Sequence, residues 1–84
     1  MAIEVILPRM SENIPEALIE EWLKQVGDYV SKGEVLLKIE VEKASIEIET
    51  EHSGYILEIS AKVGDIVEWG STIAVLGEET EKTK

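Results

Sequence analysis

Apolar and polar residues alternate along most of this chain, and the places where the alternation changes phase mark its architecture. The clearest stretch is residues 35–50. Apolar side chains fall there at Leu37, Ile39 and Val41, and then at Ala44, Ile46 and Ile48. A period of two marks a strand with one buried face. The parity changes between Val41 and Ala44, which one straight strand cannot do without turning its apolar set to the other face. A hairpin with a two-residue loop does so without conflict. It sets Val41 opposite Ala44, Ile39 opposite Ile46 and Leu37 opposite Ile48 on one face, and Lys38 opposite Glu47 on the other. Glu42 and Lys43 are left alone at the tip. Glu-Lys is not among the dipeptides with easy positive φ that such hairpins prefer, so a type I turn, which accepts most residues, is expected.

The pattern also repeats. Val26-Gly27-Asp28-Tyr29-Val30-Ser31-Lys32-Gly33 and Val63-Gly64-Asp65-Ile66-Val67-Glu68-Trp69-Gly70 share Val, Gly, Asp, Val and Gly at an offset of 37 residues, and Ile19 and Glu21 match Ile56 and Glu58 at the same offset. Two similar halves in a short chain predict an internal pseudo-twofold, since an open solenoid needs three or more units. Each half reads as strand, turn, short strand, turn, strand. Gly27-Asp28 and Gly64-Asp65 make the first turn, Gly33 and Gly70 the second. Residues 16–25 contain good helix formers. Their partner in the repeat, residues 55–62, follows a glycine and reads as strand, so strand is expected in both. The prediction is an all-β domain over residues 1–77, with the charged residues 78–84 as a tail or the start of an interdomain linker.

Composition narrows the function. A chain of 84 residues holds one small domain. Such a domain buries only about two-thirds of its unfolded surface, too little for a deep enclosed active site. The net charge of −10, from 18 acids against 8 bases, speaks against nucleic acid and against an anionic membrane as partners. It suits partners with basic docking patches, and it also keeps a small domain soluble. Cysteine is absent, which excludes disulfides, thiolate metal ligands and a cysteine nucleophile. His52 is the sole histidine and has no His or Cys partner, so it reads as a loop residue, and no metal site or catalytic residue is expected. No apolar run approaches the roughly 20 residues of a membrane span, and residues 1–7 lack the pattern of a secretory signal. A cytoplasmic location is expected. Trp22 reads as core; Trp69, beside Gly70, reads as partly exposed with no binding role indicated.

What remains is Lys43. By geometry alone a lysine at a hairpin tip is either a solvated charge among acids or an attachment point that an enzyme can engulf. The repeat places Thr80 opposite it, so only one half has the lysine, as a single attachment site requires.

At this point the chain resembles the lipoyl domains of dihydrolipoamide acyltransferases, components of 2-oxoacid dehydrogenase complexes. Glu40-Val41-Glu42-Lys43-Ala44 is similar to that family's Glu-Thr-Asp-Lys-Ala lipoylation motif. Leu7-Pro8-Arg9-Met10 resembles its first-strand signature, and Val26-Gly27-Asp28 and Gly54-Tyr55-Ile56 fall at its turn positions. The resemblance covers residues 3 to about 77. Val41 replaces Thr, Glu42 replaces Asp, and Ala17 stands where many members have Gly.

The resemblance implies a flattened barrel-sandwich hybrid of two four-stranded antiparallel sheets, with Lys43 at one end and both termini at the other. It implies lipoate joined as an amide to Lys43 by a lipoate ligase or lipoyl transferase, with Glu42 and Ala44 as motif flanks. A thiamine-dependent 2-oxoacid dehydrogenase would then reductively acylate the dithiolane. The acyltransferase core would pass the acyl group to coenzyme A, and dihydrolipoamide dehydrogenase would reoxidise the arm. The domain, monomeric in isolation, would catalyse none of these steps, because the reactive sulfurs belong to the cofactor. Tethering would supply a high local concentration of substrate at each active site.

The loop over residues 9–16 has no counterpart of equal length in the second half. In the family this loop lies near the lysine hairpin and contributes to recognition by the dehydrogenase. Arg9, Met10, Ser11, Glu12, Asn13 and Ile14 are therefore recognition candidates, with Glu40 and Glu47 on the hairpin. The other reading of the loop is a tolerated insertion. A biotinyl carrier is the nearest alternative function, but biotinyl domains flank their lysine with methionines, and here the flanks are Glu42 and Ala44. An unmodified structural barrel-sandwich module would generally lack the lysine and sit between long helices. The 2-oxoacid stays open among pyruvate, 2-oxoglutarate, a branched-chain acid and acetoin.

Overall fold

The period-two alternation is realised as strands throughout. A computed structural model describes residues 2–10 and 12–78. Its elements are β1 (Ile3–Ile6), β2 (Glu16–Trp22), β3 (Tyr29–Val30), β4 (Val35–Val41), β5 (Ala44–Glu49), β6 (Gly54–Ile59), β7 (Ile66–Glu68) and β8 (Thr72–Gly77). They form two four-stranded antiparallel sheets, ordered β1-β8-β6-β3 and β5-β4-β2-β7. Replacing each strand of the first list by the one at the same place in the second turns one half of the chain into the other. This is the pseudo-twofold expected from the repeat, and the all-β, two-sheet class is as predicted. Ser11, Thr80 and all of the expected tail except Glu78 lie outside the described residues.

The repeated Gly-Asp pairs have a repeated job. Asp28 Oδ2 accepts the backbone N–H of Gln25 at 2.9 Å, and Asp65 Oδ2 accepts that of Lys62 at 2.9 Å. An Asp that bonds nearby backbone in this way closes a turn. The preceding glycines take φ of +97° and +95°, a region that is easy only without a Cβ. Each turn is then bonded to the other half. Gly27 N–H donates to the Ile56 carbonyl at 2.8 Å, and Gly64 N–H to the Ile19 carbonyl at 2.9 Å. The symmetry is therefore an exchange of hydrogen bonds between halves, and neither half closes its own barrel.

Between the sheets lie the inward residues of both alternations, including Leu7, Ile19, Leu37, Ile39, Ile56, Ile73 and Leu76, all at most 1% exposed. Each such side chain stabilises the fold by about 1.5–3 kcal/mol relative to exposure. Thr50 is a buried polar residue beside this core. Its hydroxyl donates to the His52 carbonyl at 2.6 Å and accepts the His52 N–H at 3.1 Å, so burial leaves it satisfied. Trp22 packs half-buried against the core, its indole N–H donating to the Ala61 carbonyl at 2.6 Å. Strand β2 holds through Trp22 despite the helix formers within it, because burial of its apolar face outweighs local propensity.

Candidate functional site

The hairpin around Lys43 has the register read from the sequence. Leu37 faces Ile48, Lys38 faces Glu47, Ile39 faces Ile46, Glu40 faces Ser45 and Val41 faces Ala44. Leu37 and Ile39 are fully buried and Val41 is 8% exposed, so the stalk is rooted in the core almost to its end. Glu42 and Lys43 form the turn beyond the last pair, and both are exposed. Below the tip, Ser45 Oγ donates to Glu20 Oε1 at 2.6 Å, which ties β5 to β2 across β4. An attached group would thus sit on a short, braced lever.

The expected type I turn is not what forms. Glu42 has a φ of +56°, alone among the described non-glycine residues, while Lys43 keeps the ordinary negative φ. A positive φ at the first central position only is the φ pattern of a type II′ turn. The reason is handedness: primed turns match the twist of the paired strands, and type I turns splay them. A left-handed non-glycine residue costs about 1 kcal/mol or more, and the hairpin core beneath imposes it. Sequence preference at the two tip residues was a weaker signal than the twist of the strands.

The loop candidates fall at the same end of the barrel. Leu18 pairs with Glu40, and continuing that antiparallel register by two residues brings Glu16 level with Glu42. The chain between β1 and β2 therefore emerges beside the tip. Arg9, Met10, Glu12 and Asn13 are exposed there, and Ile14 is half-buried against the core. The two hairpin acids are not equivalent. Both are exposed, but Glu40 belongs to the second pair from the tip and Glu47 to the fourth. At a strand rise of about 3.3 Å per residue, the fourth pair lies roughly 10 Å below the first. The structure thus groups the loop, Glu40, Glu42 and Lys43, and sets Glu47 lower on the stalk.

One residue gained significance only in the structure. Trp69 is half-buried, as its place beside Gly70 suggested, but its indole N–H donates to the Ile14 carbonyl. Its backbone N–H reaches the Pro15 carbonyl at 3.4 Å. The signal was present in the repeat, where its counterpart at the 37-residue offset is Lys32. His52 serves the Thr50 corner described above. Among the described residues no group of three or more His, Cys, Asp or Glu side chains could hold a metal ion, and no helix is long and apolar enough to cross a membrane.

Comparison with known proteins agrees with this geometry. The biotin–lipoyl family model, described as "Biotin-requiring enzyme", matches residues 3–76. The chain is 48% identical over 75 residues to the dihydrolipoyllysine-residue succinyltransferase component of the 2-oxoglutarate dehydrogenase complex of Staphylococcus saprophyticus, covering 89% of this chain and 18% of that protein. It is 41% identical over 81 residues to the dihydrolipoyllysine-residue acetyltransferase component of the pyruvate dehydrogenase complex of Corynebacterium glutamicum, covering 96% and 12% respectively. The chain thus spans less than a fifth of the length of these relatives. Its fold matches the solution structure of the lipoyl domain of the 2-oxoglutarate dehydrogenase complex from Azotobacter vinelandii with a TM-score of 0.72. The two are 32% identical, covering 90% of this chain and 96% of that one.

Proposed function

The chain belongs to the biotin–lipoyl family, and on that premise we propose that it is the lipoyl-carrier domain of a dihydrolipoamide acyltransferase, with Lys43 as the attachment site. The observation that carries this reading is the isolation of Lys43 with Glu42 on a two-residue tip, above a stalk that Leu37, Ile39, Val41 and Ile48 root in the core. An exposed primary amine there fits amide formation with the lipoyl carboxyl: a ligase can enclose the tip without unfolding the domain. When bound, lipoate supplies a dithiolane that accepts an acyl group and two electrons. The chain's own residues do the rest. The stalk fixes where the arm starts, the loop and Glu40 offer a surface for selection, and the tether confines the arm near its partners.

On this reading the thiamine-dependent dehydrogenase, the acyltransferase core and dihydrolipoamide dehydrogenase meet the same arm in turn. A dehydrogenase acting on 2-oxoglutarate is the first to try, given the 48% identity to a succinyltransferase component. Lipoate is favoured over biotin because Glu42 and Ala44, not methionines, flank the lysine. The test is incubation of the chain with lipoate, ATP and a lipoate ligase, followed by peptide mapping. One lipoyl adduct, on the peptide containing Lys43, is the expected result. An adduct on another lysine, or biotin taken up faster from a biotin ligase, would overturn it.

A further inference from the structure

Each half of the domain ties down the loop at its end in the same way. In the first half, Lys32 donates its backbone N–H to Ser53 Oγ at 2.9 Å, and Gly33 donates to the Thr50 carbonyl at 2.8 Å. In the second half Trp69 and Gly70 take these places. Trp69 donates its backbone N–H to the Pro15 carbonyl at 3.4 Å, and Gly70 donates to the Leu7 carbonyl at 2.8 Å. The loops they hold are unequal: residues 50–53 link β5 to β6, whereas residues 7–15 link β1 to β2.

A longer loop has more conformational freedom to lose. Among the described residues, only in the half with the long loop does the residue at this place add its own side chain to the clamp. The Trp69 indole N–H donates to the Ile14 carbonyl, and its ring packs against the core. An indole has one donor and no acceptor, so a half-buried Trp needs a partner such as this carbonyl. The repeat thus offers an internal control: Lys32 with a short loop, Trp69 with a long one.

We infer that Trp69 is a positioning residue for partner recognition. It holds Ile14 and Pro15, and so fixes how Arg9, Met10, Glu12 and Asn13 are presented beside the Lys43 tip. The inference rests on the reading of Lys43 as the lipoyl acceptor and of this loop as part of the surface that the dehydrogenase reads. A loop held in one conformation before encounter spares the partner the entropy of ordering it. Loss of the clamp therefore acts on the KM for the domain and leaves kcat alone.

The experiment compares lipoylated wild type, Trp69→Phe and Trp22→Phe as substrates of the 2-oxoacid dehydrogenase that acylates the wild type fastest. Trp69→Phe keeps an aromatic ring and deletes the N–H. Trp22→Phe deletes a comparable indole–carbonyl bond, to Ala61, four residues along β2 from the Leu18–Glu40 pair. Trp69→Phe should raise KM about fivefold, on the scale of one hydrogen bond with the ordering it provides. Its kcat and its rate of lipoylation should equal those of the wild type, while the amides of Asn13 and Ile14 exchange faster. Trp22→Phe should leave KM unchanged. Should Trp69→Phe fail to fold, Trp69→Lys, which installs the residue the other half uses, should show the same rise. Equal KM values for the wild type and both Trp69 variants would overturn the inference. So would an equal rise in Trp22→Phe, or slowed lipoylation of Trp69→Phe, which would place the effect in the hairpin. A wild type that takes up no lipoyl group would instead overturn the reading of Lys43.

Discussion

The β4–β5 hairpin and the β8–β1 pair are one structure built twice, and only the first carries a turn. In both, an antiparallel pair roots its inward side chains between the sheets. Both make the same corner: Gly33 and Glu34 exchange backbone hydrogen bonds with Thr50 as Gly70 and Ser71 do with Leu7. Yet β4 and β5 are joined through Glu42-Lys43, whereas β1 and β8 come from opposite ends of the described chain. The difference teaches what the turn is for. Sheet pairing and core burial hold the β8–β1 pair without any connection, so the fold does not require this particular turn. The tip is thus relieved of any duty to the fold, and it forms with a left-handed Glu42.

The comparison breaks most directly at the lysine. Lys43→Gln should abolish lipoylation altogether while leaving amide NMR spectra of the fold intact. The wild-type product should migrate on native gels with one more negative charge than the −10 of the bare chain, because the amide is neutral where the lysine ammonium was positive. Modification of the variant at the wild-type rate would show that the tip is not the site.

Almost as large an effect is expected from exchanging Glu42 and Lys43. Composition and net charge are unchanged, so only the position of the amine on the turn differs. Lipoylation should nearly cease. Normal modification would mean that the ligase reads sequence nearby and not placement.

The two halves can also be set against each other at Gly54 and Ala17, which are equivalent at the 37-residue offset. A Cβ on Gly54 would lie 3.1 Å from the Gly77 carbonyl oxygen, with φ at +156°. Gly54→Ala should lower stability by about 1–2 kcal/mol in urea unfolding, roughly a tenfold change in the folding equilibrium. Ala17→Gly should lower it by only about 0.5–1 kcal/mol. Equal losses would show that the halves pack alike at this point.

Smaller still is the expected effect of the acids. Neutralising Glu40 should lower the efficiency of reductive acylation about two- to threefold at low salt, and Glu47, lower on the stalk, should matter less. The difference should vanish at high salt. If neither variant differs from wild type at low salt, this acidic face is only solvated. The smallest effect concerns the turn itself. Glu42→Gly should raise stability by about 0.5 kcal/mol, because relief of the left-handed φ slightly exceeds the added chain entropy of glycine. A loss of stability would mean that the tip is not strained.

The sequence by itself determined the strands, the two halves and the hairpin register. Each of these follows from periodicities in which every residue votes, such as the parity change between Val41 and Ala44 or the doubled Gly-Asp turns. It also isolated Lys43, because a parity switch flanked by matching apolar positions on both sides reads as a hairpin turn. The tertiary structure decided what depends on contacts between distant residues. The turn type at Glu42 follows from the twist of the paired strands, which overrides the preference of two tip residues. The unequal standing of Glu40 and Glu47 follows from their distance along the stalk. The part played by Trp69 rests on a carbonyl 55 residues away, at Ile14. A lone Trp beside a turn carries no periodic signal of its own, so only the packed barrel could show which backbone atom its N–H would meet.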